Sequence, residues 1–343
     1  MLHRFSKVVV ASTVLLILAG SLVTSHDAGL SVPDWPTSYG WNMFTFPPSM
    51  WVANIFYEHG HRLIASTVGF LTIILAIWLW LADPRPWLRW FGVAALGAVI
   101  AQGVLGGLTV LFFLPAAVST AHAGLAEVFF CMTVAIALFT SPRWIAGYGT
   151  AKAVPYDAAR AVDDVTLRRL ATATTALIFL QMLIGAAMRH TGAGLAIPDF
   201  PWMFGHVVPD HWNGRIAVHF THRVGALIVT LGIVTLSAYV WSHHRGRREL
   251  TRPATLIVAL VATQVTLGAL TVLTRRDVWI NSLHVVCGAL VLTTSLVLTL
   301  RSWRAKFAPA EVRLKPDATR TRDVVANASV RGVRLQADRR GQA

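Results

Sequence analysis

The sequence is short of charge and nearly devoid of cysteine. Asp, Glu, Lys and Arg make up only 13% of 343 residues, against 55% hydrophobic residues. A soluble domain carries about a quarter charged residues, so this scarcity excludes an ordinary water-soluble fold. The two cysteines, Cys131 and Cys287, both fall inside apolar runs. No loop carries a cysteine pair, which excludes a disulfide framework and leaves small packing residues as the simplest role. HExxH is absent as well, so a zincin-type protease lacks its signature.

What is present is a series of long apolar runs. Eight approach or exceed the roughly 20 residues that cross a bilayer: about 8–24, 63–82, 89–113, 118–139, 170–188, 216–241, 254–274 and 279–300. The pattern predicts an all-α polytopic membrane protein. The formal net charge of +14 could suggest nucleic acid, but its distribution does not. Arg85 and Arg89, then Arg143, Lys152, Arg160, Arg168 and Arg169, then Arg245, Arg247, Arg248 and Arg252 fall in alternate loops. With Arg4, Lys7 and the basic tail, they gather on one side of an eight-span chain. The positive-inside rule makes that side the cytoplasm, with both termini on it. The partner of this charge is therefore the lipid bilayer.

The halves resemble each other. AGLSVPDWP (28–36) returns as AGLAIPDFP (193–201), and GHRLIASTVG (60–69) as THRVGALIVT (221–230). AQGVLGGLTVL (101–111) returns as TQVTLGALTVL (263–273), and STAHAGLAEV (119–128) as NSLHVVCGAL (281–290). Each pair is separated by 161 to 165 residues. The expected organisation is two tandem, pseudo-symmetric four-helix bundles: 1–139, a linker 140–169, 170–304, and a basic disordered tail 305–343. The even number of spans between copies makes them parallel repeats. Residues 1–25 have the basic start and apolar run of a signal peptide. Their counterpart in the second half argues instead for a retained span.

Thirteen histidines are many for so apolar a chain. His61, His122, His222 and His284 occupy repeat-related places at the extracytoplasmic ends of spans two, four, six and eight. Intramembrane ionisable residues are functional hypotheses by default. Two imidazoles on two helices of a bundle can supply both axial nitrogens of a heme iron. Gly60, Ala123, Gly124, Val224, Gly225, Cys287 and Gly288 leave room beside them. Arg62 and Arg223 directly follow a histidine, and a guanidinium matches a heme propionate in shape and charge; snorkelling from a helix end is the plainer alternative. Glu58 stands where the second half has His219.

Taken together, DAGLSVPDWP, EHGHR, AHAG, AGLAIPDFP, THR and LHVVCG, over roughly residues 5–304, resemble the heme A synthase family. The resemblance implies oxidation of the C8 methyl of heme O to a formyl group, by successive hydroxylations with oxygen from water. It implies heme O held between His61 and His122 in the first half, and a resident heme b between His222 and His284 in the second. It places the essential acid at Glu58. It further implies a bacterial-type inner or plasma membrane, transient meeting with heme O synthase and an unidentified electron acceptor, and it leaves room for a homo-oligomer. The chain resembles the subgroup lacking the cysteine pair of the first outer loop. A bis-histidine b-type cytochrome that only transfers electrons, or a heme carrier, would share the four histidines but gives no reason for the acid at position 58.

Overall fold

The computed structural model describes residues 1–145 and 164–304. Eight helices in it are long and apolar enough to cross a membrane. In chain order the helices are α1 (Leu2–Ser25), α2 (Asn54–Ala82), α3 (Pro86–Leu111), α4 (Ala116–Phe139), the single turn α5 (Pro142–Ile145), α6 (Val165–His190), α7 (Gly214–His243), α8 (Arg248–Leu273) and α9 (Val278–Trp303). All eight expected spans are present. Most run several residues beyond the apolar windows, because a helix continues through the polar interface while hydropathy registers only its apolar part. The largest extension is at α2, which begins at Asn54 and takes Glu58, His61 and Arg62 into its first turns.

Helix ends follow local chemistry. Pro86 opens α3 at a position where its missing N–H costs nothing. Asp164, Asn213 and Asp277 cap α6, α7 and α9 by accepting backbone N–H groups of the first turn. The expected linker 140–169 is partly helical, since it holds α5 and the first turn of α6. The rest of it, and the tail from 305, lie outside the described residues.

In the first half α1 packs on α2, α2 on α3, α3 on α4, and α4 back on α1. In the second half α6 to α9 make the same closed circuit, and α1, α4, α6 and α9 meet between the halves. Over their most apolar stretches α9 is 56% buried and α4 44%, against 17–28% for the others, which puts these two helices at the centre. The tightest apolar packing lies away from the histidines. One cluster joins Val9, Leu79, Leu88 and Ile136. Another joins Leu167, Leu236, Leu250 and Leu298. Both sit at the end of the bundles opposite His61, His122, His222 and His284.

Candidate functional site

Each of the four histidines rests on a glycine of a neighbouring helix. A Cβ added to Gly20 on α1 would stand 2.9 Å from Cε1 of His61, and one on Gly106 of α3 would stand 3.1 Å from that of His122. Gly185 on α6 and Gly268 on α8 stand in the same relation to His222 and His284, at 2.9 and 3.0 Å. No side chain larger than hydrogen fits these four positions without moving the imidazole. The small residues flanking the histidines in sequence, expected to make this room, do other things. Gly124 meets Leu183, Gly225 meets Gln181, and Gly288 meets Gln264. A residue next in sequence points about 100° away around a helix, so the space beside a side chain is set by the helix opposite.

Within each half the paired histidines are close enough to interact electrostatically, His61 with His122 and His222 with His284. Nδ1 of His61, His122 and His284 is buried without a hydrogen-bond partner. Gln102 and Gln264 bring an amide nitrogen to 3.4 Å from Nε2 of His122 and His284. A donor there occupies the Nε2 lone pair, so ligation of iron through Nε2 requires the amide to move aside. Gln102 also donates to the carbonyl of His122 at 2.9 Å, and Gln181 donates likewise to that of His222 at 2.7 Å, with Nδ1 of His222 at 3.0 Å. The matching place in the first half is Leu16. Orphan ring nitrogens, glycine cradles and open space beside Gly60 all suit a flat macrocycle held by two imidazoles. Among the described residues no group of three or more His, Cys, Asp or Glu offers a competing metal site.

The loops 26–53 and 191–213 are latched by one device used twice. Arg62 donates to the carbonyls of Val32, Asp34 and Thr37, at 2.8, 2.8 and 3.0 Å. Arg223 donates to those of Ile197, Asp199 and Trp202, the matching residues, at 3.0, 2.7 and 3.0 Å. The propionate role expected of both arginines therefore has to compete with these bonds. Asp34 accepts the N–H groups of Tyr39 and Gly40, and Asp199 those of Phe204 and Gly205. Burial pushes the Asp34 carboxyl up, but bonds from Gly40, Thr37 and Tyr39 outweigh it and hold it below the usual carboxylate range. The same balance, with Gly205 and Phe204, lowers Asp199. Gly40 and Gly205 sit at φ +76° and +78°, a backbone conformation that favours glycine.

Glu58 completes the first latch. Its Oε2 accepts the N–H of Val32 at 2.8 Å and its Oε1 pairs with Arg62 at 2.7 Å. In the second half Nδ1 of His219 accepts the N–H of Ile197 at 3.3 Å and its Nε2 meets Arg223 at 3.1 Å. An acid and an imidazole thus stand at the same place in the two latches, but the carboxylate has an oxygen for each N–H donor and a neutral imidazole has one lone pair for the two. Both are buried, at 3% and 2% exposure.

The chain belongs to the COX15-CtaA family of cytochrome oxidase assembly proteins. Residues 3–296 match that family. The chain is 28% identical to the heme A synthase of Halalkalibacterium halodurans over 300 residues, covering 85% of this chain and 95% of that protein. It is 31% identical to the heme A synthase of Symbiobacterium thermophilum over 283 residues, covering 80% and 87%. It is 25% identical to that of Caulobacter vibrioides over 334 residues, covering 87% and 94%. The eight long apolar helices make this chain a multi-pass membrane protein.

Sequence reading missed two groups in this COX15-CtaA member. Arg189, at the outer end of α6, crosses between the halves to donate to the carbonyl of Ser21 and the hydroxyl of Ser25, at 2.9 and 3.0 Å. Its Nε–H is buried without a partner. Glu127 on α4 is 7% exposed, with Oε2 unpartnered. Their counterparts by the repeat are Thr24 and Ala289. That asymmetry was the signal available in the sequence for both.

Proposed function

We propose that the chain is a heme A synthase, oxidising the C8 methyl of heme O to the formyl group of heme A for terminal oxidase assembly. The observation that carries this reading is a duplicated pair of glycine-cradled imidazoles, with Glu58 one turn before His61 where the second half has His219, in a member of the COX15-CtaA family. The first half takes heme O between His61 and His122, and the second holds heme b between His222 and His284. A heme b held there would supply one-electron redox chemistry, and the electrons released from the substrate go to an external acceptor.

The protein residues do the remaining work. Each hydroxylation adds oxygen from water to the methyl carbon and releases an electron pair with its protons. Glu58 stands one turn before His61 on the same face of α2, where it accepts a proton from the attacking water. Arg62 keeps that carboxylate oriented, and the latched loop 26–53 shields the site from bulk water. Arg189, with a free Nε–H close enough to His284 to act on it electrostatically, is placed to receive a propionate of the second-half heme. We place both sites toward the extracytoplasmic face and the basic loops in the cytoplasm.

The test is chemical. The full chain is co-expressed with heme O synthase in a host lacking heme A, and the extracted hemes are separated by chromatography. Heme A, or its hydroxylated precursor, is the expected product. Two bound hemes with neither product would make this a bis-histidine cytochrome.

A further inference from the structure

A second cavity opens at the opposite end of the molecule from the histidines. It encloses about 1050 Å³ between α1, α4, α5, α8 and α9. Lys7, Arg143, Arg248, Arg252, Arg301 and Arg304 line it, against a single acid, Glu249. The Lys7 ammonium and the guanidinium groups of Arg143, Arg248 and Arg252 make no ion pair or hydrogen bond with a described residue. Arg143 and Arg304 lie within Coulomb range of Arg301, and Arg301 donates to the backbone carbonyl of Glu249 rather than to its carboxylate. Like charges gathered this closely, partly out of water, repel unless an anion enters among them. Val134, Leu138, Leu256 and Val297 give it an apolar wall. Trp144 also lines it, and its indole N–H is buried without a hydrogen-bond partner.

We infer that this cavity is a binding site for an anionic phospholipid of the bilayer in which the protein sits. The cations hold the headgroup phosphate, and the acyl chains lie along the apolar wall. A free phosphate would satisfy the charges and leave the wall wetted; a zwitterionic lipid would cover the wall and leave the charges unmet. Basic pockets between transmembrane helices take acidic headgroups in this way. The inference rests on the membrane fold and the charge balance, not on the heme reading. The cavity lies between the first helix of one half and the last two of the other, so an occupying lipid bridges α1, α4, α8 and α9.

The full chain, purified in mild detergent, is examined by native mass spectrometry, then stripped of lipid and heated with added phosphatidylglycerol, phosphatidylcholine or inorganic phosphate. The expected result is a retained acidic phospholipid and a rise in melting temperature with phosphatidylglycerol alone. Arg143→Gln with Arg252→Gln should weaken phosphatidylglycerol binding at least about tenfold, as loss of two charges near an acidic lipid predicts. Arg143→Lys with Arg252→Lys should keep most of it. Helix content by circular dichroism checks that the variants fold; if the double variant does not, Lys7→Gln and Arg248→Gln read the same loss singly. Equal retention by the glutamine variants, or equal stabilisation by phosphatidylcholine, would overturn the assignment. Stabilisation by phosphate alone would make it a free-anion site. Absence of lipid, with residues 305–343 protected from hydrogen exchange, would give the cavity to the chain's own tail.

Discussion

The two halves use one latch and differ in what closes it. Arg62 and Arg223 hold matching carbonyls of matching loops, but Glu58 closes the first latch and His219 the second. Position 58 therefore has two separable tasks. Accepting the loop N–H needs only a lone pair, which an imidazole also supplies, at 3.3 Å against 2.8 Å for the carboxylate. Taking a proton from water beside a substrate is the task we assign to the carboxylate alone. The loops differ in the same direction. The first is longer, with 3-10 turns at Met43–Thr45 and Pro48–Met50, and Phe46 and Trp51 from that segment pack on the buried ring of His59. Trp35 from the same loop lies against Gly107 of α3 so closely that a Cβ there would clash with the indole. The second half has Phe200 and Ala269 at these places. On the assignment we propose, the first half exchanges its heme and needs a cover, and the second keeps its heme and needs less.

The sharpest way to break this comparison is to copy one half into the other. Glu58→His should keep the loop latched and lower heme A formation at least about a hundredfold, the scale of a lost general base. Glu58→Ala should lose both. Protease sensitivity of the 26–53 loop, measured beside product yield, separates the two; equal loop exposure in both variants would make the residue purely structural. Next in size are the histidines. His222→Ala or His284→Ala should remove resident heme b from the purified protein, read from its absorption spectrum, whereas His61→Ala or His122→Ala should spare it and abolish conversion. The cradles follow. Gly185→Ala should displace the His222 ring and lower heme b content by roughly tenfold, as disturbing a ligand's support does, while Gly20→Ala should lower turnover with heme b intact. Loss of heme b from the Gly20 variant would undo the assignment of the halves.

Acid should then separate the loops more gently. Asp34 and Asp199 are both held below the unfolded carboxyl value of about 3.9. Their contribution is fully present above that pH and is lost as pH falls through the depressed folded value. Asp34 has the added hydroxyl of Thr37, so limited proteolysis should open loop 191–213 before loop 26–53 on acidification. The smallest effect expected is at Glu127. Glu127→Leu removes an unmatched buried oxygen and should leave the melting temperature unchanged or raise it by a few degrees. A fall in turnover at constant heme content would give this acid a role in the reaction.

The eight spans were legible because apolar length reports a membrane crossing directly. The extra turns of α2 and α6 were not, because the helix goes on where the bilayer's apolar core ends. The repeat made His61, His122, His222, His284 and Glu58 stand out as one set, since a duplicated chain supplies its own comparison. Gly20, Gly106, Gly185 and Gly268 escaped notice for a geometric reason: each lies on the helix opposite its histidine, in a run already rich in small residues. The grip of Arg62 and Arg223 on loop carbonyls was hidden for a related reason. A side chain's acceptor on distant backbone leaves no trace in residue type.

The arginine latch has a consequence for how the chain enters the membrane. In the orientation we propose, Arg62 and Arg223 sit at the helix ends where an insertion machinery sorting by positive charge would least readily place a cation. Each finds there a ring of backbone carbonyls that replaces its lost water. The loop reaches that end before the arginine does, since it precedes the helix that carries the arginine. Once the guanidinium is caged, returning that helix end through the bilayer would mean stripping a bare cation of every acceptor it has. The latch is thus a ratchet on topology, one click for each half.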